Sequence, residues 1–418
     1  MGRFQWAVPL RTTSKRANRA KVTFRTTSKR SNFKFMSMEC KKSERELAYA
    51  VKLEHRGAEV YLRGLIEISN KCRKNCLYCG IRAGNGCVQR YEMTDEQVLR
   101  EAQFALDAGY GSVAVQGGER SDSEFLERIT RLVWQIRHLQ RGGDPVSVLH
   151  SAPGQEGALA QNNLGITLSL GEQPREVYRE WMKAGATRYL LRIEASNREL
   201  YEKIHPGFAL TGNNCREAAN HSYERRVQAL HDLKSENYLL GSGVMIGLPF
   251  QTCSHLEEDL QFLKNLGVDM VGMGPYIPHN ETPLGKIVNH WRTGAPLPDE
   301  LLPLAQQPRG DFWNLSNSEL LELSVNMVAR LRILLPDINI AATTALQVLH
   351  PMGREKAILH GANVIMPNMT ETALRGSYSL YEGKQGVEDD AVSTRDKLVD
   401  NLSGLGIPVG WDKRGDRR

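Results

Sequence analysis

The stretch LIEISNKCRKNCLYC, residues 65–79, joins an apolar strand-like run to a loop carrying Cys72, Cys76 and Cys79. Three thiols within eight residues suit an iron–sulfur cluster that has three of its four irons held by protein. The fourth iron would stay open, able to chelate a small molecule and hand it one electron, so the spacing points to radical chemistry. Two blander readings share these residues. One is a zinc knuckle completed by Cys87 or a histidine, and the other is a fully cysteine-ligated cluster that only relays electrons.

Apolar runs alternate with helical patterns from about residue 60 to 370, which argues for repeated βα units and a parallel sheet. The strands are read at 65–69, 112–116, 165–171, 188–194, 241–247, 270–275, 339–345 and 362–367. Eight such strands predict a closed (β/α)8 barrel of the TIM type, whose chemistry sits on the loops after the strand ends. The cysteine loop directly follows the first strand and falls on that face. Along the fourth strand Tyr189, Leu191 and Ile193 point one way and Arg188, Leu190, Arg192 and Glu194 the other. Helices wrapping a barrel require the apolar set to face outward, which sends two arginines and a glutamate into the lumen, where they need partners or a ligand. The third strand repeats this, with Thr167, Ser169 and Gly171 inward. The plain alternative is an internal Arg192–Glu194 salt bridge filling a barrel layer.

With 418 residues, 41% hydrophobic and 24% charged, the chain has material for one large core. No apolar run approaches the roughly 18 residues needed to span a bilayer, and seven cysteines, an odd number with three of them in one loop, do not make a secreted disulfide framework. The formal charge of +6 is uneven: residues 1–40 hold ten Lys or Arg and only Glu39 as an acid, leaving 44 basic against 47 acidic residues elsewhere, a net −3. This leader, rich in Arg, Ser and Thr and repeating RTTSKR at 11–16 and 25–30, has the composition of an organellar transit peptide and is expected to be disordered. A basic nucleic-acid-binding arm is the competing reading, and Met36 and Met38 are alternative starts. Residues 41–385 are read as the barrel and 386–418 as a terminal helix and basic tail. Polar excursions are expected at 141–163, 207–222 and 286–315.

The motif CRKNCLYCGIR (72–82) after a first barrel strand resembles the radical S-adenosylmethionine (SAM) superfamily. Over nearly all of residues 60–385 the chain is similar to the HydE family of [FeFe]-hydrogenase maturases, through TLSLGE (167–172), RYLLRIEAS (188–196), GVMIGLP (243–249), GMGPYIPHNETPLG (272–285), IAATTA (340–345) and GANVIMPN (361–368). The biotin synthase and methylornithine synthase branches share the barrel and cluster loop and match these later segments less well.

The resemblance implies a [4Fe–4S] cluster on Cys72, Cys76 and Cys79, with SAM on the open iron and reductive cleavage to methionine and a 5′-deoxyadenosyl radical. It assigns Tyr78 and the Gln116-Gly117-Gly118-Glu119 element to SAM, the latter being only a turn on its own. Glu194 and Arg226 would hold the methionyl or ribose moiety and Met366 would lie against adenine; their plain readings are a solvated helix residue for Arg226 and a core methionine for Met366. The substrate side would comprise Thr167, Ser169, Arg188, Arg192, Thr343, Thr344, Tyr378 and Tyr381, with the Arg192 fork on a carboxylate and the two tyrosines, three apart on a helical turn, closing one wall or simply packing. The implied substrate is a cysteine-ligated iron–carbonyl–cyanide unit, a small organometallic species. Implied partners are HydG-type and HydF-type maturases and a reductant such as ferredoxin, with no nucleic acid and no membrane. The implied setting is a chloroplast, hydrogenosome or mitochondrion. Residues 370–418 lack cysteine, so no second cluster is expected. Turnover of dethiobiotin or lysine would favour a relative of biotin synthase or methylornithine synthase, and a cluster indifferent to SAM would favour an electron carrier or scaffold.

Overall fold

Ile66 and Ile68 turn to one face and Leu65 and Glu67 to the other, and this period of two forms strand β1 (Tyr61–Ser69) in the computed structural model, which describes residues 42–151, 161–206 and 221–416. The strand begins four residues before the sequence-based start at 65, because Arg63 and Gly64 interrupt the apolar run that signalled it. Gly64 leaves room there for the Met369 side chain, whose Sδ a Cβ would meet at 2.2 Å. The other barrel strands are β2 (Ser112–Gly117), β3 (Gly165–Ser169), β4 (Arg188–Leu190), β5 (Leu239–Ser242), β6 (Met270–Val271), β7 (Asn339–Ile340) and β8 (Val364–Ile365).

Every neighbouring pair from β1 to β7 is parallel, and β8 pairs with β1 in the register Tyr61↔Val364. A bridge between Ala341 and Val364 joins β7 to β8 and closes the ring, so the expected eight-stranded barrel is present. Strands β4 to β8 are shorter than the sequence suggested. Beyond β5 and β6 a second two-residue ladder, Met245–Ile246 with Gly274–Pro275, continues the wall, and Glu194 after β4 adopts φ 65° while bridging Val244. A non-glycine residue in the left-handed region is held there by its surroundings.

Helices cover the outside, several starting on side-chain caps such as the Thr94–Gln97 and Ser316–Glu319 capping boxes. The outward face of β4 carries Tyr189, which meets Tyr178 edge-on at 5.1 Å and stacks with Trp181 at 6.3 Å between ring centroids. Burying these rings drives the packing of the helix Arg175–Ala184, and the Tyr189 hydroxyl is satisfied by Gly171 O at 2.8 Å.

Among the sequence-based excursions, 286–315 begins inside a regular helix, Pro283–Thr293, capped by Thr282 with proline in the first turn, where its missing N–H costs nothing. Residues 145–148 form one 3-10 turn. The proposed leader at 1–40, residues 152–160 of the first excursion and residues 207–220 of the second lie outside the described residues. The helix Ala391–Gly404 leads to a tail that crosses the floor of the barrel: Gly410 N donates to Val60 O, Asp412 N to Gly109 O, and Asn339 Nδ2 to Gly415 O. No helix among the described residues is long and apolar enough to cross a membrane.

Lys52, fully buried on the helix Lys42–Arg56, contacts Ile358 O at 3.3 Å and has no carboxylate within ion-pair distance among the described residues. Burial, and then the nearby Arg332 charge, pushes its ammonium from 10.5 down to about 7. A lysine held down is fully penalised below its folded pKa, and the penalty fades as pH rises toward the unfolded value. Lys52→Met is expected to unfold at a higher temperature than the parent at about pH 7, with the advantage shrinking toward about pH 10. Thermal unfolding at both pH values measures this, and an advantage that grows with pH would contradict it.

Candidate active site at the open end of the barrel

The C-terminal ends of the strands surround a cavity of about 370 Å³, the size of a small-ligand site. Glu67, Gln116 and Ser169 form one inward layer of it, because their strands place them in register. All three cysteines of the loop after β1 line the same wall. Burial pushes their thiols up, Cys76 to about 12, and for Cys76 and Cys79 a neighbouring thiolate adds to the effect. Bare thiolates are therefore disfavoured here, whereas a cation shared among the three would reverse both effects and release protons on binding.

The Gln116–Glu119 turn lies directly against this loop. A Cβ on Gly118 would come within 2.3 Å of Lys71 O, so only glycine allows the approach. Glu119 N donates to Cys72 Sγ at 3.3 Å, an N–H···S contact of the kind that tunes cluster potential. The Glu119 carboxylate is occupied by protein, accepting from Arg73 Nε at 2.9 Å and from Glu172 N at 2.8 Å.

No fourth cysteine lines the cavity among the described residues: Cys87 is exposed near Glu281, and Cys253 opens a helix elsewhere. Cys76, His205 and His221 do bring one ligand-type atom each within 4.8 Å. Tautomer logic argues against a zinc site. His205 Nδ1 faces Tyr201 O at 2.8 Å and must donate, leaving Nε2 to accept from the Tyr78 hydroxyl at 3.3 Å. His221 Nε2 accepts from Asn75 N at 3.0 Å, so Nδ1 carries the proton of the neutral ring and offers no lone pair. Burial pushes both imidazoles down, His221 to about 3, and keeps them neutral. Three cysteines and an open side toward the cavity fit a cluster with one iron free, better than a four-ligand metal site.

Charge pairing organises the rest. Glu172, at the end of β3, receives Lys74 Nζ at 2.9 Å and the Arg226 guanidinium, all three side chains being buried. Burial alone would raise the Glu172 carboxyl, but Arg226 and Lys74 outweigh it and hold it at about 2. Arg226 also donates to Arg192 O, and Arg192 forms two bonds of 2.8 Å with the Glu194 carboxylate plus one of 2.9 Å to Val244 O. The salt bridge weighed as the plain alternative thus exists, and both members still line the cavity.

Of the remaining sequence-based site residues, Tyr78, Gln116, Gly117, Gly118, Glu119, Glu194, Arg226 and Met366 share this cavity with Ser169, Arg192, Thr343, Thr344, Tyr378 and Tyr381. Thr167 and Arg188 do not. They sit at the other end of the barrel, beside Arg63 and Asn339, around a space of only about 10 Å³. There Arg188 pairs with Asp416 of the tail, Nε to Oδ1 being 3.1 Å, and Thr167 Oγ1 and Arg188 Nη1 have no hydrogen-bond partner among the described residues. Tyr378 and Tyr381 are not on a helical turn, because the short helix Thr372–Arg375 ends before them and they lie in an irregular strap over the cavity.

Sequence reading missed Glu67, Lys74, Glu172, Tyr276 and Lys384. Glu67 carried a usable signal, an acid on the inward parity of β1, and Glu172 closes a quoted segment without having been given a role. Nothing local marks Lys384.

Because Glu172 is held below its usual value, its stabilising contribution is present above about pH 4.5 and is lost as pH falls toward about 2. Glu172→Gln is expected to lower the unfolding temperature by several degrees near neutral pH and to weaken retention of iron by the reconstituted protein, with the stability difference vanishing in acid. Iron content after desalting and paired unfolding curves test this, and an iron content equal to the parent's would show that Lys74 and its loop do not depend on the pair.

Residues 66–263 match the family described as the Radical SAM superfamily. The chain is 37% identical, over 89% of its length and 88% of the relative's, to the [FeFe] hydrogenase maturase subunit HydE of Thermotoga maritima. It is 22% identical, over 89% of its length and 87% of the relative's, to the 3-methylornithine synthase of Methanosarcina acetivorans. The crystal structure of methylornithine synthase (PylB) superposes with a TM-score of 0.63 at 20% identity, covering 90% of this chain and 91% of that one, a likeness of fold. With a cysteine loop, turn and closed barrel of this kind, and an identity of that extent to a curated member, the chain belongs to the HydE family of radical SAM enzymes.

Proposed function

We propose that the chain is a maturase of [FeFe]-hydrogenase, with a [4Fe–4S] cluster on Cys72, Cys76 and Cys79 and SAM bound beside it in the cavity. The observation that carries this reading is the set of three thiols, Cys76 buried and Cys72 and Cys79 half-buried, on the wall of one cavity at the mouth of the barrel that no other described cysteine lines. When bound, the cluster and SAM together supply the electron and the 5′-deoxyadenosyl radical. The protein contributes placement. Glu119 N steadies Cys72, the Gly117–Gly118 turn admits close approach, and Glu194, Arg226, Tyr78 and Met366 frame the SAM side. Ser169, Arg192, Thr343, Thr344, Tyr378 and Tyr381 frame the side for a small organometallic substrate, a cysteine-ligated iron–carbonyl–cyanide unit. Once a ligand fills the cavity, its predominantly apolar walls would limit the access of water to a reactive radical.

Thr167 and Arg188 act in this reading as floor residues rather than substrate contacts, since Asp416 already occupies Arg188. HydG-type and HydF-type maturases would supply the substrate and take the product, and a ferredoxin-like reductant would supply the electron. The composition of residues 1–40 supports delivery to a chloroplast or hydrogenosome, and the absence of cysteine from 370–418 supports a single cluster.

Anaerobically reconstituted protein is expected to bind about four irons, to show an altered paramagnetic resonance spectrum on adding SAM, and to cleave SAM reductively. Cys72→Ala is expected to lose the cleavage and most of the iron. Normal SAM cleavage by that variant, or a parent spectrum unchanged by SAM, would overturn the assignment.

A further inference from the structure

Lys384 is the one lysine of the strap 376–386, and its ammonium reaches back into the barrel. It donates to Glu67 Oε1 at 2.6 Å, to Glu67 Oε2 at 2.8 Å and to Tyr378 O at 3.0 Å, and it lies 5.1 Å from the centre of the Tyr378 ring. Its side chain is 10% exposed and that of Glu67 only 2%. The three acceptors match the three donors of an ammonium, and Glu67 Oε2 also accepts from Asn368 Nδ2 at 2.9 Å. The ammonium uses all three of its donors and the carboxylate accepts three hydrogen bonds of the about four it can take, so the pair is built as a tie.

The tie joins two functional elements. Glu67 precedes Cys72 by five residues on β1, and the strap is fastened to the same cluster loop by Asn70 Nδ2 to Ser377 O at 2.6 Å and by Gly80 N to Leu380 O at 3.0 Å. A Cβ on Gly80 would lie 2.0 Å from Ser379 O, so loop and strap touch backbone to backbone. Gln116 Nε2 donates to the Tyr378 hydroxyl at 3.2 Å, adding a link to the turn before Glu119.

We infer that Lys384 and Glu67 are positioning residues, a buried latch that ties the Tyr378–Tyr381 wall of the cavity to the strand leading into the cysteine loop. The inference rests on the radical SAM reading of that cavity. Breaking a buried pair from one side leaves an uncompensated charge, a cost that local opening of the strap relieves by readmitting water.

The test uses the full chain, reconstituted with its cluster, as parent, Lys384→Met, Glu67→Gln and the double variant. Each single variant is expected to exchange backbone amides of 376–386 at least about tenfold faster than the parent while the barrel strands keep their protection. Each is also expected to lose iron faster to the chelator bathophenanthroline disulfonate. The double variant is expected to be no worse than the more affected single one, since both charges of one pair are gone. If Lys384→Met does not fold, Lys384→Gln carries the same comparison. Parent-like exchange in the strap, or faster exchange spread evenly over the barrel, overturns the latch. The SAM-dependent spectrum of the parent is read separately: its absence would sink the radical SAM reading and leave the exchange result standing.

Discussion

A single buried carboxylate, Glu172, shared between Lys74 and Arg226, is the constraint on which the site depends. Lys74 lies in the middle of the cysteine loop, Glu172 at the end of β3, and Arg226 on the helix Tyr223–Ser235 before β5. Each of these buried charges leans on the others, with Glu119 a second carboxylate 3.5 Å from Lys74, and removing one partner of a buried pair costs about 3–5 kcal/mol. The chain of contacts continues from Arg226 to Arg192 O, from Arg192 to Glu194, and from Arg192 to Val244 O. Segments associated with β1, β3, β4 and β5 thus take their positions from one connected polar network. Such a network is worth having only when every member is satisfied.

The same charges act on the cysteines. Burial opposes ionisation of Cys76, while Arg226 and Lys74 favour it, though not enough to bring the thiol down to its ordinary value. The loop is therefore shaped by the protein but reaches its anionic form only with a cation among the sulfurs. That coupling explains why a distant-looking acid such as Glu172 is expected to affect iron retention. It neutralises the two cations enough to let them be buried beside thiols.

The eight strands were legible because a parallel sheet buried on both faces writes itself as short apolar runs separated by helical patterns. The cluster loop was legible because its three cysteines are local. The aromatic packing of Tyr189 and the inward parity of Arg192 and Glu194 followed from alternation alone. What escaped were partnerships across the chain. Lys384 meets Glu67 from 317 residues away, and Asp416 meets Arg188 from 228 away, distances at which no local pattern can speak. The helical turn assigned to Tyr378 and Tyr381 failed for a related reason. Arg375 spends its guanidinium on Gly386 O and neighbouring carbonyls, which folds the following segment back into a strap instead of continuing the helix.

Arg188 and Arg192 show the limit most clearly. Alternation assigns both to the lumen, and it is right about direction, but it carries no information about height. Four residues of strand span about 13 Å at roughly 3.3 Å per residue, enough to separate the floor of a barrel from its mouth. The tail closes the floor and gives the lower arginine Asp416, whereas the upper one folds onto Glu194 beside the cavity. With Lys384 on Glu67, and Lys74 and Arg226 on Glu172, the cations around the mouth already hold carboxylates before any ligand arrives. An incoming anion gains little from net attraction and must compete with an intact ion pair. Recognition in this lumen therefore depends on matching donors and acceptors at fixed positions, which is what a wall of paired charges provides and a bare positive patch does not.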